Sequence, residues 1–172
     1  HRAQLEEIAS RHGAPRERIA AFKQLVAAAA EKGYLAARAQ HGAAPDDFPA
    51  PGVIIDSTYG EELLCRLSGS GSWIGRPVEL PGSRPLAFEE GMNVGLALRG
   101  WPAEQVVKCL LSLHPDDPAS LLQQQLASVS TLQQACRETG HELLLELIPP
   151  RDMPGGTDTL SRAMMKVYDA GI

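Results

Sequence analysis

Lys108 stands third in "VVKCLLSLHPDD" (106–117) and Glu146 sixth in "HELLLELI" (141–148), each a charge inside a run that otherwise reads as a buried strand. A lysine or glutamate taken fully out of water is rare unless it is paired, neutralised or used. Side chains alternate across a strand, so parity says where each one points. In 106–114 the odd positions Val107, Cys109, Leu111 and Leu113 make one apolar face, which leaves Lys108 on the other with Val106, Leu110, Ser112 and His114. In 143–148 Leu143, Leu145 and Leu147 share a face, and Glu146 lies opposite with Leu144 and Ile148. Charges on such a face suit the inside of a barrel, where polar groups near the C-terminal ends of strands form the active site. The competing reading is a structural ion pair with no chemistry.

Further candidates for substrate binding are Arg2, Asp56, Arg76, Arg84 and His114. Asp56 ends "GVIID", where it either faces a ligand or caps the following helix. Arg2 stands just before a helix. Arg76 and Arg84 lie in the Pro/Gly-rich "GRPVELPGSRP", and their planar guanidinium groups match phosphate or carboxylate if they are not simply surface arginines. His114 precedes "PDDP" and is either a site residue or a loop histidine without a task. The five histidines are scattered, and Cys65, Cys109 and Cys136 form no CxxC or Cys/His ligand spacing. No metal and no cofactor is therefore expected, and the cysteines read as reduced core residues.

The elements that must position these residues alternate. Helices are predicted over 3–12 and 15–32, the second with Pro15 in its first turn and Gly33 at its end; 36–52 reads as a mobile connection. Strands are predicted over 53–56, 73–79, 106–113 and 143–148. Helices are predicted over 59–67, over a glycine-broken 86–100, over 118–140 with Asp117 as its cap, and over 158–171. Short apolar strands alternating with helices imply an α/β fold with a parallel sheet. No GxGxxG or GxxxxGK[ST] loop follows a strand, so a (β/α)8 TIM barrel is preferred to a nucleotide-binding open sheet. A whole barrel needs about 250 residues, so this chain is expected to carry roughly the first five βα units.

The 172 residues suit one domain, and a net charge of -5 without a basic run argues against nucleic acid. No apolar run approaches the roughly 20 residues of a membrane span, and no signal-peptide pattern opens the chain, so a cytoplasmic protein without a membrane partner is expected. The start at His1 and the close at "DAGI" suggest a piece of something longer. A partial barrel would leave a sheet edge and an apolar inner face open, so this piece alone is expected to aggregate or form a homo-oligomer.

The strings "WIGRPVELPGSRPLAFE", "VVKCLLSLHPDD" and "HELLLELIPP" resemble the aldolase-like domain forming the C-terminal half of bacterial bifunctional inositol-catabolism proteins, whose N-terminal half is a 5-dehydro-2-deoxygluconokinase. The opening "HRAQLEE" is similar to that domain's start, where an aspartate normally precedes the histidine. The resemblance covers essentially the whole chain. It implies a lyase that splits 5-dehydro-2-deoxyphosphogluconate into dihydroxyacetone phosphate and malonate semialdehyde. Its implied partners are that phosphorylated sugar-acid substrate and the N-terminal sugar-kinase domain. More distantly the chain is similar to Schiff-base tagatose-bisphosphate aldolases, (β/α)8 barrels with an acid on the first strand, a lysine on the fourth, a glutamate on the fifth and the imine lysine on the sixth. Lys108 matches the fourth-strand lysine and Glu146 the fifth-strand glutamate, which makes both catalytic by resemblance. The acid would lie before His1 and the imine lysine after Ile172, so the piece alone holds part of a site. The alternative is a non-catalytic regulatory or scaffolding barrel that partners the kinase.

Overall fold

A computed structural model describes residues 2–42, 51–153 and 155–172. The chain divides into two compact units, His1–Arg76 and Pro77–Ile172. Among the described residues it is a mixed α/β chain with four strands, and β1–β2 and β3–β4, the strand pairings within the units, are parallel. Among the described residues no helix is long and apolar enough to cross a membrane.

The first unit begins with two helices, α1 (Arg2–Arg11) and α2 (Glu17–His41). α2 runs through Gly33, where the sequence predicts an end, and through the first part of the predicted connection. One interior glycine costs about 1 kcal/mol, which the strong helix formers of "LVAAAAEKGYLAARA" offset. The helix stops instead at Gly42, left-handed at φ 58°. The rest of the predicted connection up to residue 50 lies outside the described residues. Strand β1 (Gly52–Ile54) pairs with β2 (Trp73–Pro77) in parallel, and α3 (Ser57–Leu67) connects them. Ile55, Leu63, Leu64 and Ile74 form this unit's core. Gly60 permits the close approach of α3, since a Cβ there would meet Ile55 Cγ2 at 2.4 Å.

In the second unit, β3 (Val106–Ser112) and β4 (Leu143–Ile148) pair in parallel through α5 (Ala119–Thr139), and α6 (Thr157–Asp169) packs on β4. The predicted helix over 86–100 reduces to a single 3-10 turn at Gly91–Asn93 and the short α4 (Val94–Leu98); Gly91, left-handed at φ 67°, breaks the run, whereas Gly95 is accommodated within α4. Val107, Cys109, Leu111 and Leu113 are buried against Val129, Leu132 and Cys136 of α5, so the odd face of β3 is the helix-packed one. A fully buried leucine in such a core contributes about 2 kcal/mol. Cys65 departs from the core assignment: it lies on the solvent face of α3 and is exposed, whereas Cys109 and Cys136 are buried. Burial pushes the Cys136 thiol up to about 11 and the Cys109 thiol higher still, so neither is a ready nucleophile.

Candidate functional site

In the first unit the candidate residues gather at the N-terminus of α3. Asp56 follows β1 and caps the helix, its Oδ1 accepting from the Tyr59 amide at 3.0 Å. Its Oδ2 pairs with Lys23 of α2. Burial works to raise the Asp56 pKa, but the Lys23 hydrogen bond, the Tyr59 amide and the charges of Lys23 and Arg2 outweigh it and leave the value lowered. Arg2 Nη1 donates to Thr58 Oγ1 at 2.7 Å, and Arg76 Nε donates to Ser57 Oγ at 2.9 Å. Three sequence candidates, Arg2, Asp56 and Arg76, therefore meet the first turn of one helix. Capping and pairing account for Asp56 without any ligand. Lys23 was not singled out from sequence, because its position on an Ala-rich helix carries no local signal of a partner 33 residues away.

In the second unit the central feature is a row of three charges. Lys108 Nζ lies 3.0 Å from Glu79 Oε1 and 3.0 Å from Glu146 Oε2. Lys108 is buried, third of the seven residues of β3, so its backbone sits within the strand rather than at the C-terminal end where barrel chemistry is expected. Glu146 does face Lys108, yet its side chain remains 48% exposed, against 13% for Glu79. Burial tends to lower the Lys108 pKa; Glu79, by charge and hydrogen bond, and then Glu146 more than compensate, and the net shift is upward. Lys108 is thus a fixed cation rather than a nucleophilic amine.

Glu79 escaped the sequence reading. The predicted strand 73–79 ends early, at Pro77, but the chain continues along β3: the Val78 amide donates to the Lys108 carbonyl at 3.0 Å, and Glu79 makes an isolated antiparallel bridge to Phe88. Val78 enters the helix-side core, so its neighbour Glu79 must face the other way, toward Lys108. Parity applied to "VELP" carries that signal.

Arg84 and His114 are brought together by Asp117. Asp117 does not cap α5: its carboxylate pairs with Arg84 and accepts from the His114 amide at 3.0 Å, so Pro118 takes the cap position without a side-chain bond. The two oxygens are turned to these partners, Oδ1 to Arg84 and Oδ2 to the His114 amide, rather than to the amides of the helix end. His114 is buried in this loop, its Nδ1 accepting from the Asp116 amide at 3.2 Å, and Asp116 pairs with Arg162 of α6. The loop that carries Arg84 is pinned by Gln125 of α5, fully buried, which accepts from the Leu86 amide at 2.7 Å and donates to the Ser112 carbonyl at 2.5 Å. Two open clefts of this unit, one beside Val94, Gly95 and Gln134 and one beside Leu122, Leu126 and Lys166, include none of the charged row. Among the described residues no cluster of His, Cys, Asp and Glu has the geometry to hold a metal ion.

No curated protein matches the chain. A family model described as "Uncharacterized protein conserved in bacteria (DUF2090)" matches residues 1–172, and the chain belongs to that family.

Proposed function

We propose that the chain is the aldolase-like part of a (β/α)8 barrel that cleaves 5-dehydro-2-deoxyphosphogluconate through a Schiff base, in a cytoplasmic protein that also carries a sugar-kinase domain. The observation that carries this reading is the 3.0 Å contact between Lys108 and Glu146, on the strand face turned away from the helices. Glu146 takes the proton of the substrate hydroxyl at the bond to be cleaved. The oxygen's electron pair then forms the aldehyde carbonyl of malonate semialdehyde, and the C–C pair withdraws into the iminium, giving the enamine of dihydroxyacetone phosphate. Lys108, held protonated, orients the Glu146 carboxylate and binds a substrate oxygen. The imine amine belongs to a lysine expected beyond Ile172. Within the same unit Arg84 is the candidate for an anionic group of the substrate, for which it would have to exchange Asp117.

The second reading, a regulatory or scaffolding barrel, is favoured by one observation: Lys108 is already paired on both sides, as a structural network would have it. Borohydride trapping on the full-length protein separates the two. Incubation with 5-dehydro-2-deoxyphosphogluconate should give a stable adduct on a lysine other than Lys108. A protein that neither traps nor cleaves the substrate would leave the scaffolding reading.

A further inference from the structure

We propose that Glu79 is the positioning residue of this site: it clamps the Lys108 ammonium from one edge of β3, which leaves Glu146, on the other edge, to meet the ligand. For its chemistry the proposal rests on the aldolase reading; the division between the two carboxylates rests on geometry. Both reach Nζ at 3.0 Å, and they come from opposite sides of the strand, since the Lys108 carbonyl accepts from Val78 while Val107 donates to Glu142 beside β4. What distinguishes them is exposure, 13% for the Glu79 side chain and 48% for Glu146. A charge held away from water is screened less, so Glu79 dominates the field at the ammonium. A half-exposed carboxylate keeps one side open to a ligand.

The hydrogen bonding of Glu79 agrees. Its Oε1 takes the Lys108 bond, and its Oε2 is buried with no partner among the described residues. A bare buried acceptor costs stability. The Lys108 ammonium offsets that cost, and the charge it pairs is what accounts for a carboxylate at this place. The charged groups facing Nζ are Glu79, from the segment after β2, and Glu146, from β4; α5 packs on the opposite face of β3, and the neighbouring Cys109 thiol stays neutral. The upward pKa of Lys108 has the same order of causes after burial, Glu79 before Glu146.

The test is an NMR titration of 13C-labelled lysines in the full-length protein, with the Lys108 Cε signal assigned by its loss in Lys108→Met. Glu79→Gln should lower the Lys108 midpoint by about one pH unit or more, a tenfold loss of proton affinity, and Glu146→Gln should lower it less. Equal shifts, or a larger one in Glu146→Gln, would overturn the proposal. The Glu146→Gln result alone keeps it falsifiable if Glu79→Gln does not fold: a midpoint brought by that variant below the value of free lysine makes Glu146 the clamp. Turnover with 5-dehydro-2-deoxyphosphogluconate separates the two readings. Lost turnover in Glu79→Gln with imine trapping retained supports both. A wild-type protein without turnover but with the predicted order of midpoints sinks the aldolase and leaves the clamp.

Discussion

Lys108 and Glu146 meet although they are not opposite each other in the β3–β4 ladder: Lys108 is in register with Leu144 and Glu146 with Leu110, yet Nζ lies 3.0 Å from Oε2. The two side chains therefore close between them an offset of two residues along the strands, roughly 6–7 Å at the usual rise. Glu146 thus stands two residues nearer than Lys108 to the end at which parallel barrels carry their chemistry.

Replacing the Lys108 charge tests its proposed catalytic role beside its place in the ion-pair row. In the full-length protein Lys108→Met should lower kcat by about 100-fold or more, the scale of a positioned acid–base or electrostatic group. It should also cost about 3–5 kcal/mol of stability, because Glu79 is left buried without its cation. Lys108→Met combined with Glu79→Gln should recover much of the stability and none of the turnover. Urea titrations read alongside kcat check both halves; near wild-type kcat in a folded Lys108→Met protein would return the lysine to a structural role.

The pH dependence of that stability has a definite sign. Lys108 has a raised pKa in the folded chain, so its contribution is complete below the ordinary lysine value of 10.5 and is lost as pH rises through the folded value. The difference in urea midpoint between wild type and Lys108→Met should shrink on the alkaline side as pH rises through the folded value. A gap that stays unchanged well above pH 10.5 would contradict it.

Asp56 has the opposite sign. Its pKa is lowered, so its contribution is present above the ordinary 3.8 and disappears as pH falls through the folded value. Asp56→Asn keeps a competent helix cap but leaves Lys23 unpaired, while Asp56→Ala loses the cap as well and should be less stable by about a further 1 kcal/mol. Thermal melts of the two variants at neutral pH and at pH 3 check the order; the penalty of Asp56→Asn should be smaller at the lower pH.

Gln125 is a structural test of the loop that carries Arg84. Gln125→Leu fills a similar volume but strands the Leu86 amide and the Ser112 carbonyl, at about 1–3 kcal/mol for each buried group left bare. Chemical denaturation should register a loss of about 2 kcal/mol or more. Hydrogen exchange should quicken at Leu86 ahead of the β3 amides.

Periodicity and parity along the chain were enough to determine the α/β alternation, the four strands near their observed places and the helix-packed face of β3, because those depend on neighbours within a few residues. The same parity put Lys108 and Glu146 on a common side before any contact was visible. Tertiary structure alone decided which charge meets which. Asp117 had the right residue type and place to cap α5, but Arg84, 33 residues earlier, claims its carboxylate. Lys108 was matched with Glu146, yet the more buried partner is Glu79, reached because the chain continues along β3 after Pro77. Cys65 was placed in the core by its type, and the orientation of α3 on β1 left it outside. Local preferences are worth tenths of a kcal/mol to about one, whereas leaving a buried charge unpaired costs several, so the final partners are set by whichever groups the packed strands bring within hydrogen-bond reach.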